Sequence, residues 1–567
     1  MKRCPDCKRD YYDDSLLYCL EDGAALVQGS VPSFDEPQTA ILHDTTSPHE
    51  SATRAQIGIT DAEPERSVGG GPEKHSTPPS KAAKPLILAG AVFVLLVTAF
   101  VGYRYLVSSG DAITSIAVLP FENRSGTADA DYLSDGLAES LIYRLSQLPG
   151  LKVSPTNAVV RYKGMQSDIA AIANELEVDA VMFGRLTQRG DDLTISVELT
   201  DARTRKLIWA EQYARKMSDL LATQREIANE VTNKLQLKLT GNETGLTKQY
   251  TNDNEAYQLY LKGRFYWSKR TPEALRIASE QFKAASEKDP NFALAYVGLA
   301  DSLLVGTYSI RGREEETISM GRAYAAKALE IDPTLAEPHA SMGLVNLYLW
   351  RWNEAEGFFK RSIELNPNYA SARHWYSRLL RPQGRFDEAY EQIIQAKKAD
   401  ELSLTIRNNV AELLFERGDI QGSIDETHRG MEISPSWIQY RQLAHCYLRL
   451  GRNDEALTNA RKAVEFLNAA PALKVLGFVH ASTGNKTEAV AIVRDLEQRY
   501  AKGEADGRDV AVVYAGLGET DLVFEWLEKD LLARRISLSE LRSEVAFMPL
   551  HGDTRFKDLL REMGLPE

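Results

Sequence analysis

Hydrophobic positions along this chain follow four different rhythms from residue 27 onward, and each predicts a different kind of structure. Residues 86–103, LILAGAVFVLLVTAFVGY, are apolar without interruption and carry no charge. As a helix they cover about 27 Å, most of a bilayer's hydrocarbon core, and Arg104 to Val107 can extend the span while the arginine snorkels. One transmembrane helix over 85–107 is therefore expected. A soluble core helix of this length would show a polar stripe, and a cleaved signal peptide would start nearer the N-terminus. Residues 27–84, rich in Ser, Thr, Pro and Gly, show no period and read as a disordered linker.

Beyond the span, 112–240 alternates between strand and helix patterns. Ser115 to Phe121 is a β-branched apolar run, and Ala130 to Leu148 places Leu133, Leu137, Leu141, Ile142 and Leu145 on one helical side. Leu151 to Val153 and Ala158 to Tyr162 read as short strands, Asp168 to Leu176 as a helix and Ala180 to Leu186 as a strand. Leu193 to Leu199 and Lys206 to Tyr213 flank the turn-forming TDARTRK as a hairpin, and Leu220 to Leu239 closes the unit as a helix. The blocks IAVLPFENRSG, YLSDGLAESLIYRLSQLPGLKV and DAVMFGRLTQRGDDLTISVELTDARTRKLIWAEQY resemble the TolB-N-terminal-like domain. Bacterial class III nucleotidyl cyclases, membrane-bound Ser/Thr kinases and CadC-like regulators carry that domain ahead of tetratricopeptide repeats. The resemblance implies an α/β fold without a catalytic role, and Glu122, Asp135 and Glu139 read as solvated positions rather than a carboxylate cluster.

From 254 to 567 the rhythm is a repeat. Small residues recur at Gly343, Ser377, Ala411, Ala444 and Gly477, spaced by 34, 34, 33 and 33, and a second set recurs at Ala355, Ala389, Ser423, Ala456 and Ala489. With Phe359 and Pro367 these fall at the small, aromatic and proline positions of a tetratricopeptide repeat. A small residue in helix A admits helix B, the second-helix alanine admits the next repeat, and proline ends helix B. About eight units are expected, the first two and the last divergent, with HGDTRFKDLLREMGLP as the closing segment. Helix A lines the concave face of such a solenoid. Mapping its positions there predicts a partner-binding groove of His374, Arg378, Arg381, Asn408, Arg441, His445, Arg449 and Lys474, beside Glu412 and Glu416. Five of these bases face two acids, which suits an acidic segment or a peptide carboxylate. The competing reading is a solvated helix face with mixed charge. Cys446, beside this face, reads as a packing residue.

Composition changes this picture at two points. A net charge of −13 argues against nucleic-acid binding by the chain as a whole. Cysteine is concentrated at the start, where CPDC and YCLED place Cys4, Cys7, Cys19 and Asp22 as two CxxC-type knuckles, the last position a carboxylate. This resembles short bacterial zinc ribbons of the form CPxCG...FCxxDG, with Lys8 where a glycine is common. The resemblance implies a structural zinc in a ribbon over 1–26. A redox role for Cys4 and Cys7 fits less well, because no thioredoxin-like βαβ pattern surrounds them. Arg66, Lys74, Lys81 and Lys84 precede the span and Arg104 and Arg124 follow it. The positive-inside rule then makes this a single-pass inner-membrane protein, N-terminus cytoplasmic, with its C-terminal domains extracytoplasmic or periplasmic.

No GxxxxGK[ST], HExxH, GxSxG or kinase HRD/DFG pattern occurs. The expected protein is multidomain: a small zinc ribbon, one transmembrane helix, an α/β domain and an all-α tetratricopeptide solenoid. Its expected function is a non-catalytic membrane adaptor or scaffold that binds a protein or peptide partner. The alternative is a transmembrane signalling or transcriptional regulator whose ribbon contacts nucleic acid or an effector. Lys2, Arg3, Lys8 and Arg9 would meet phosphates, opposed by Asp6, Asp10, Asp13 and Asp14.

Overall fold

The computed structural model describes residues 113–567 apart from 126–130, 147, 149, 165–167, 236–249, 308–312 and 402, together with three two-residue strands near the N-terminus. These strands, β1 (Lys2–Arg3), β2 (Asp10–Tyr11) and β3 (Val27–Gln28), form an antiparallel sheet of order β2-β1-β3. Cys4, Cys7, Cys19, Asp22 and the apolar stretch 85–107 lie outside the described residues. Among the described residues no helix is long and apolar enough to cross a membrane.

The α/β unit is a mixed sheet of order β6-β4-β7-β8-β9, with β5 also pairing β7. Its strands are β4 (Ser115–Val118), β5 (Glu122–Asn123), β6 (Lys152–Val153), β7 (Ala180–Arg189), β8 (Asp192–Asp201) and β9 (Lys206–Lys216). β4 runs parallel to β6 and β7, while β7, β8 and β9 form an antiparallel meander. Helices α1 (Asp131–Ser146), α2 (Ile169–Glu175) and α3 (Leu220–Lys234) accompany the sheet. The stripe from Leu133 to Leu145 on α1 is buried, as its spacing requires.

One element differs from the sequence reading. Residues 156–162 are helical rather than a strand, as a short α-turn, Thr156–Val159, followed by a 3₁₀ turn, Val160–Tyr162. A short apolar run has no decisive period, and Pro155 stands at the N-cap, where its missing N–H leaves no helical hydrogen bond unmade. The turn buries Ala158, Val159 and Tyr162, and the Tyr162 hydroxyl donates to Glu175 at 2.6 Å.

Eight helix pairs follow among the described residues: α4 (Asn254–Ser268) with α5 (Pro272–Lys288), α6 (Ala293–Gly306) with α7 (Glu314–Ile331), α8 (Ala336–Tyr348) with α9 (Trp352–Leu365), α10 (Ala370–Leu380) with α11 (Phe386–Ala399), α12 (Leu404–Glu416) with α13 (Ile420–Ile433), α14 (Trp437–Arg449) with α15 (Asn453–Phe466), α16 (Ala470–Ser482) with α17 (Lys486–Ala501), and α18 (Gly507–Leu517) with α19 (Thr520–Leu532). The small residues act as their spacing predicts. A Cβ on Gly343 would stand 2.5 Å from Phe359 Cε1, so glycine lets α8 and α9 meet through that ring. Ala355, Ala389, Ser423, Ala456 and Ala489 are fully buried where one pair stacks on the next. Between paired helices the chain turns through left-handed glycines, such as Gly418 (φ 86°) and Gly451 (φ 72°), where a Cβ would be strained. Two 3₁₀ segments, Ile536–Ser543 and Val545–Leu550, then lead to α20 (Thr554–Glu562).

Candidate functional site

The A helices α10, α12, α14, α16 and α18 present one charged residue after another to a common face because the repeat returns the same helical position every 33 or 34 residues. The 3₁₀ segments cross that face. They bring Glu540 and Glu544, four residues apart, onto cations contributed by helices far away in sequence. Glu540 meets Arg508 Nη1 of α18 at 2.8 Å and Arg378 Nη2 of α10 at 3.8 Å. Glu544 accepts from Lys474 Nζ of α16 at 3.0 Å, and the same ammonium stands 3.5 Å from Asp509. Arg508 also donates to the Ser537 carbonyl at 2.9 Å.

Of the residues predicted to line the groove, six enter or border this network. Arg381 is buried between Glu412 (2.9 Å) and Glu416 (3.2 Å) of α12, and Arg441 pairs with Glu412 from the other side. Arg378 and Lys474 hold the acidic segment. His445 is buried between the rings of Phe415 and Phe478, each centroid 6.5 Å away. His374 is buried too, and its Nε2 has no hydrogen-bond partner. Two stand apart. Asn408 is half-buried beside Gly430 of α13, and Arg449 is exposed and makes no ion pair among the described residues. The sequence reading missed Arg508, Glu540 and Glu544. Arg508 holds the same A-helix position in the eighth unit that Lys474 holds near the start of the seventh, so extending the mapping by one unit reaches it.

The electrostatics follow from burial opposed by charge. Burial alone would raise the Glu544 carboxyl, but Lys474, Arg508 and His445 outweigh it and hold it at about 2. Glu540 is likewise held well below the carboxylate range, Arg508 and Arg378 overcoming burial. Burial wins at Glu416, whose pKa is raised even beside Arg381. Burial, reinforced by Arg378, Arg270 and Arg381, lowers His374 to about 3, and burial lowers His445 to about 4. Both imidazoles are neutral at physiological pH. Arginine, lysine and carboxylate here fix where the charges of the crossing segment sit.

Cys446 is fully buried, its Sγ 3.3 Å from Ser423 Oγ, and burial raises its thiol pKa, as suits a packing residue. Among the described residues no three His, Cys, Asp or Glu side chains converge as a metal site.

Comparison with known proteins bears on the architecture. The family model described as the second domain of HilA/YgeH-like transcriptional regulators matches residues 112–232, the α/β unit, and tetratricopeptide-repeat models match 358–391 and 440–466. A putative adenylate cyclase 3 of Rhizobium meliloti (strain 1021) is 31% identical over 246 residues, 43% of this chain and 42% of that protein. The transcriptional regulator HilA of Salmonella paratyphi A is 24% identical over 293 residues, 50% of this chain and 51% of that protein. The chain thus spans about half the length of the curated relatives it matches, or less. A solved tetratricopeptide repeat protein from Parabacteroides merdae is 19% identical, covers 47% of this chain and 100% of its own, and superposes with a TM-score of 0.33. The array is a tetratricopeptide-repeat solenoid joined to a small α/β region.

Proposed function

We propose that this chain is a non-catalytic adaptor that holds a protein partner by an acidic segment on the A-helix face of its repeat array. The observation that carries this reading is the pairing of Arg378, Arg508 and Lys474 with carboxylates borne on an irregular stretch of polypeptide. A face that binds a chain segment in this way recognises peptide chemistry, and repeat arrays of this type serve commonly as such scaffolds. The segment 85–107 anchors the protein as a single transmembrane helix, with 1–26 on the cytoplasmic side and the α/β and repeat domains extracytoplasmic. A structural zinc bound by Cys4, Cys7, Cys19 and Asp22 organises the N-terminal module, since three thiolates and a carboxylate form a suitable tetrahedral donor set.

The test is a photo-crosslinking residue at position 449, the exposed cation at the rim of the face, in the full chain in intact cells. A discrete crosslinked protein, lost when Arg441→Glu is added, is expected. Absence of any protein adduct would sink the adaptor reading.

A second reading is favoured by the likeness to HilA-type regulators: the N-terminal module contacts nucleic acid and the array reports to it. Zinc-dependent, salt-sensitive DNA binding by the full chain would support it, and no binding at low salt would remove it.

A further inference from the structure

The segment that crosses the A-helix face belongs to the chain itself, and its composition is the complement of that face. Residues 536–550 read ISLSELRSEVAFMPL, with Glu540 and Glu544 four residues apart among leucine, valine and phenylalanine. The carboxylates take the cations of α10, α16 and α18. Ile536, Leu538, Leu541 and Phe547 enter the apolar cluster that holds Leu344, Trp375, Leu379 and Val410, while Val545 and Met548 pack on Phe415, Leu443 and Cys446. Arg542 adds a bond from Nε to the Pro382 carbonyl at 3.0 Å.

Three features separate this segment from a permanent part of the core. It consists of two 3₁₀ stretches broken at the extended Glu544, with poorer hydrogen bonds than the α-helices around it. At the contact Arg508 Nε and Ser537 Oγ have no hydrogen-bond partner among the described residues, whereas buried polar groups in settled cores are satisfied. Both ends are fixed by other means. α19 stacks on α18 through Val523, Phe524 and Leu527, and α20 is held by Phe556, Leu559 and Leu560 and by the Trp352 Nε1–H bond to the Met563 carbonyl at 2.7 Å. The segment is a strap whose flanks are each secured by contacts of their own.

We infer that residues 536–550 are an internal ligand of the repeat groove, displaced when a partner presents an acidic, leucine-bearing segment of the same pattern. This rests on the adaptor reading above and names the partner's chemistry: two carboxylates four residues apart, flanked by branched apolar side chains. Tethering gives the strap a local concentration of the millimolar order, so a weak or sparsely presented acidic peptide does not dislodge it. The groove is thereby closed to the many acidic segments a net-charge argument alone would admit.

The experiment uses the full chain in detergent and a fluorescein-labelled synthetic peptide with the sequence of residues 534–551. Hydrogen exchange is followed in the strap and in α8, and peptide binding by anisotropy, for the native chain and for Glu540→Gln/Glu544→Gln. In the native chain the strap amides are expected to exchange at least tenfold faster than those of α8. In the double variant strap exchange and peptide affinity each rise at least tenfold further, α8 is unchanged, and adding Lys474→Gln abolishes the gain in affinity. Strap amides that exchange as slowly as α8 in the native chain, or a peptide that binds neither protein, would show the strap to be fixed core and overturn the inference. Peptide binding as expected, with no partner crosslinked at position 449, upholds the internal ligand and removes the adaptor reading instead.

Discussion

Replacing Arg381 by methionine tests whether the buried charges of the groove are structural before they are anything else. The Arg381 side chain is 10% exposed and lies 2.9 Å from Glu412 and 3.2 Å from Glu416, whose own side chain is 5% exposed. Methionine keeps much of the stem but removes the charge that both carboxylates face. One-sided loss of a buried pair costs about 3–5 kcal/mol, and because Arg441 still partners Glu412 the lower end of that range applies. The pH dependence has a definite sign. Burial already raises the Glu416 pKa, and a carboxyl whose folded pKa stands above its unfolded value loses stability as pH rises through that interval. Without Arg381 the interval widens, so the penalty is larger at pH 7 than at pH 5. Stability in a repeat array is local, so the measurement is native-state hydrogen exchange of α10 and α12 at both pH values. A loss below about 1 kcal/mol, the scale of an exposed pair, or an equal loss at the two pH values, would refute the reasoning.

Four further outcomes are expected. Gly343→Ala forces a methyl against the buried Phe359 ring and lowers thermal stability by about 1–3 kcal/mol, and Phe359→Leu added to it recovers part of the loss. Trp352→Phe removes the donor to the Met563 carbonyl and leaves that acceptor unsatisfied at a cost of about 1–3 kcal/mol; faster proteolysis near residues 551–567 is the readout, and unchanged cleavage counts against it. On acidification the groove weakens in two stages. His445, held at about 4, costs stability as pH falls from 6.5 towards 4 because only the unfolded imidazole takes up the proton, and Glu544, held at about 2, contributes stability that declines as pH falls from 4.5 towards 2. Strap exchange that does not change between pH 7 and pH 4 contradicts this. Atomic emission on purified full chain should give about one zinc per molecule, lost in Cys4→Ser/Cys7→Ser, and a chain as poor in zinc before the substitution as after it dismisses the ribbon.

Much of the fold was legible because periodic packing writes itself into spacing. Gly343, Ser377, Ala411, Ala444 and Gly477 are small for one reason, contact between helices, and that reason recurs at each turn of the solenoid. The stripe Leu133 to Leu145 declared α1 in the same way. Ala158 to Tyr162 did not, because a run too short for a period is settled by its flanks, here Pro155. The charged A-helix face was legible in half. Position within a unit located Arg378, Arg381, His445 and Lys474, but a residue's partner is fixed by where the chain returns, and 160 residues separate Arg542 from Pro382. A basic face read from sequence as open to a partner is already paired, since no local pattern records that the acids nearest it in space lie at 540 and 544.

That return also bears on how the two ends of the repeat array are related. A repeat array needs each terminal helix covered, and here neither cover is a repeat. At one end α1 packs on α4 so closely that a Cβ on Gly136 would stand 2.9 Å from Leu261 Cβ, with Glu139 bonded to Arg264 Nε at 2.8 Å and one apolar core running from Ile116 through Leu294 to Leu335. At the other the strap doubles back over the face. Arg535 at its root reaches Glu314 at the start of α7, at 2.9 Å, while Ala328 near the end of α7 is buried in the core shared with the sheet. Contiguity of this kind does not by itself make a pathway. What the contacts establish is narrower: α7 is held at one end by Arg535, just before the strap, and at the other by the α/β core.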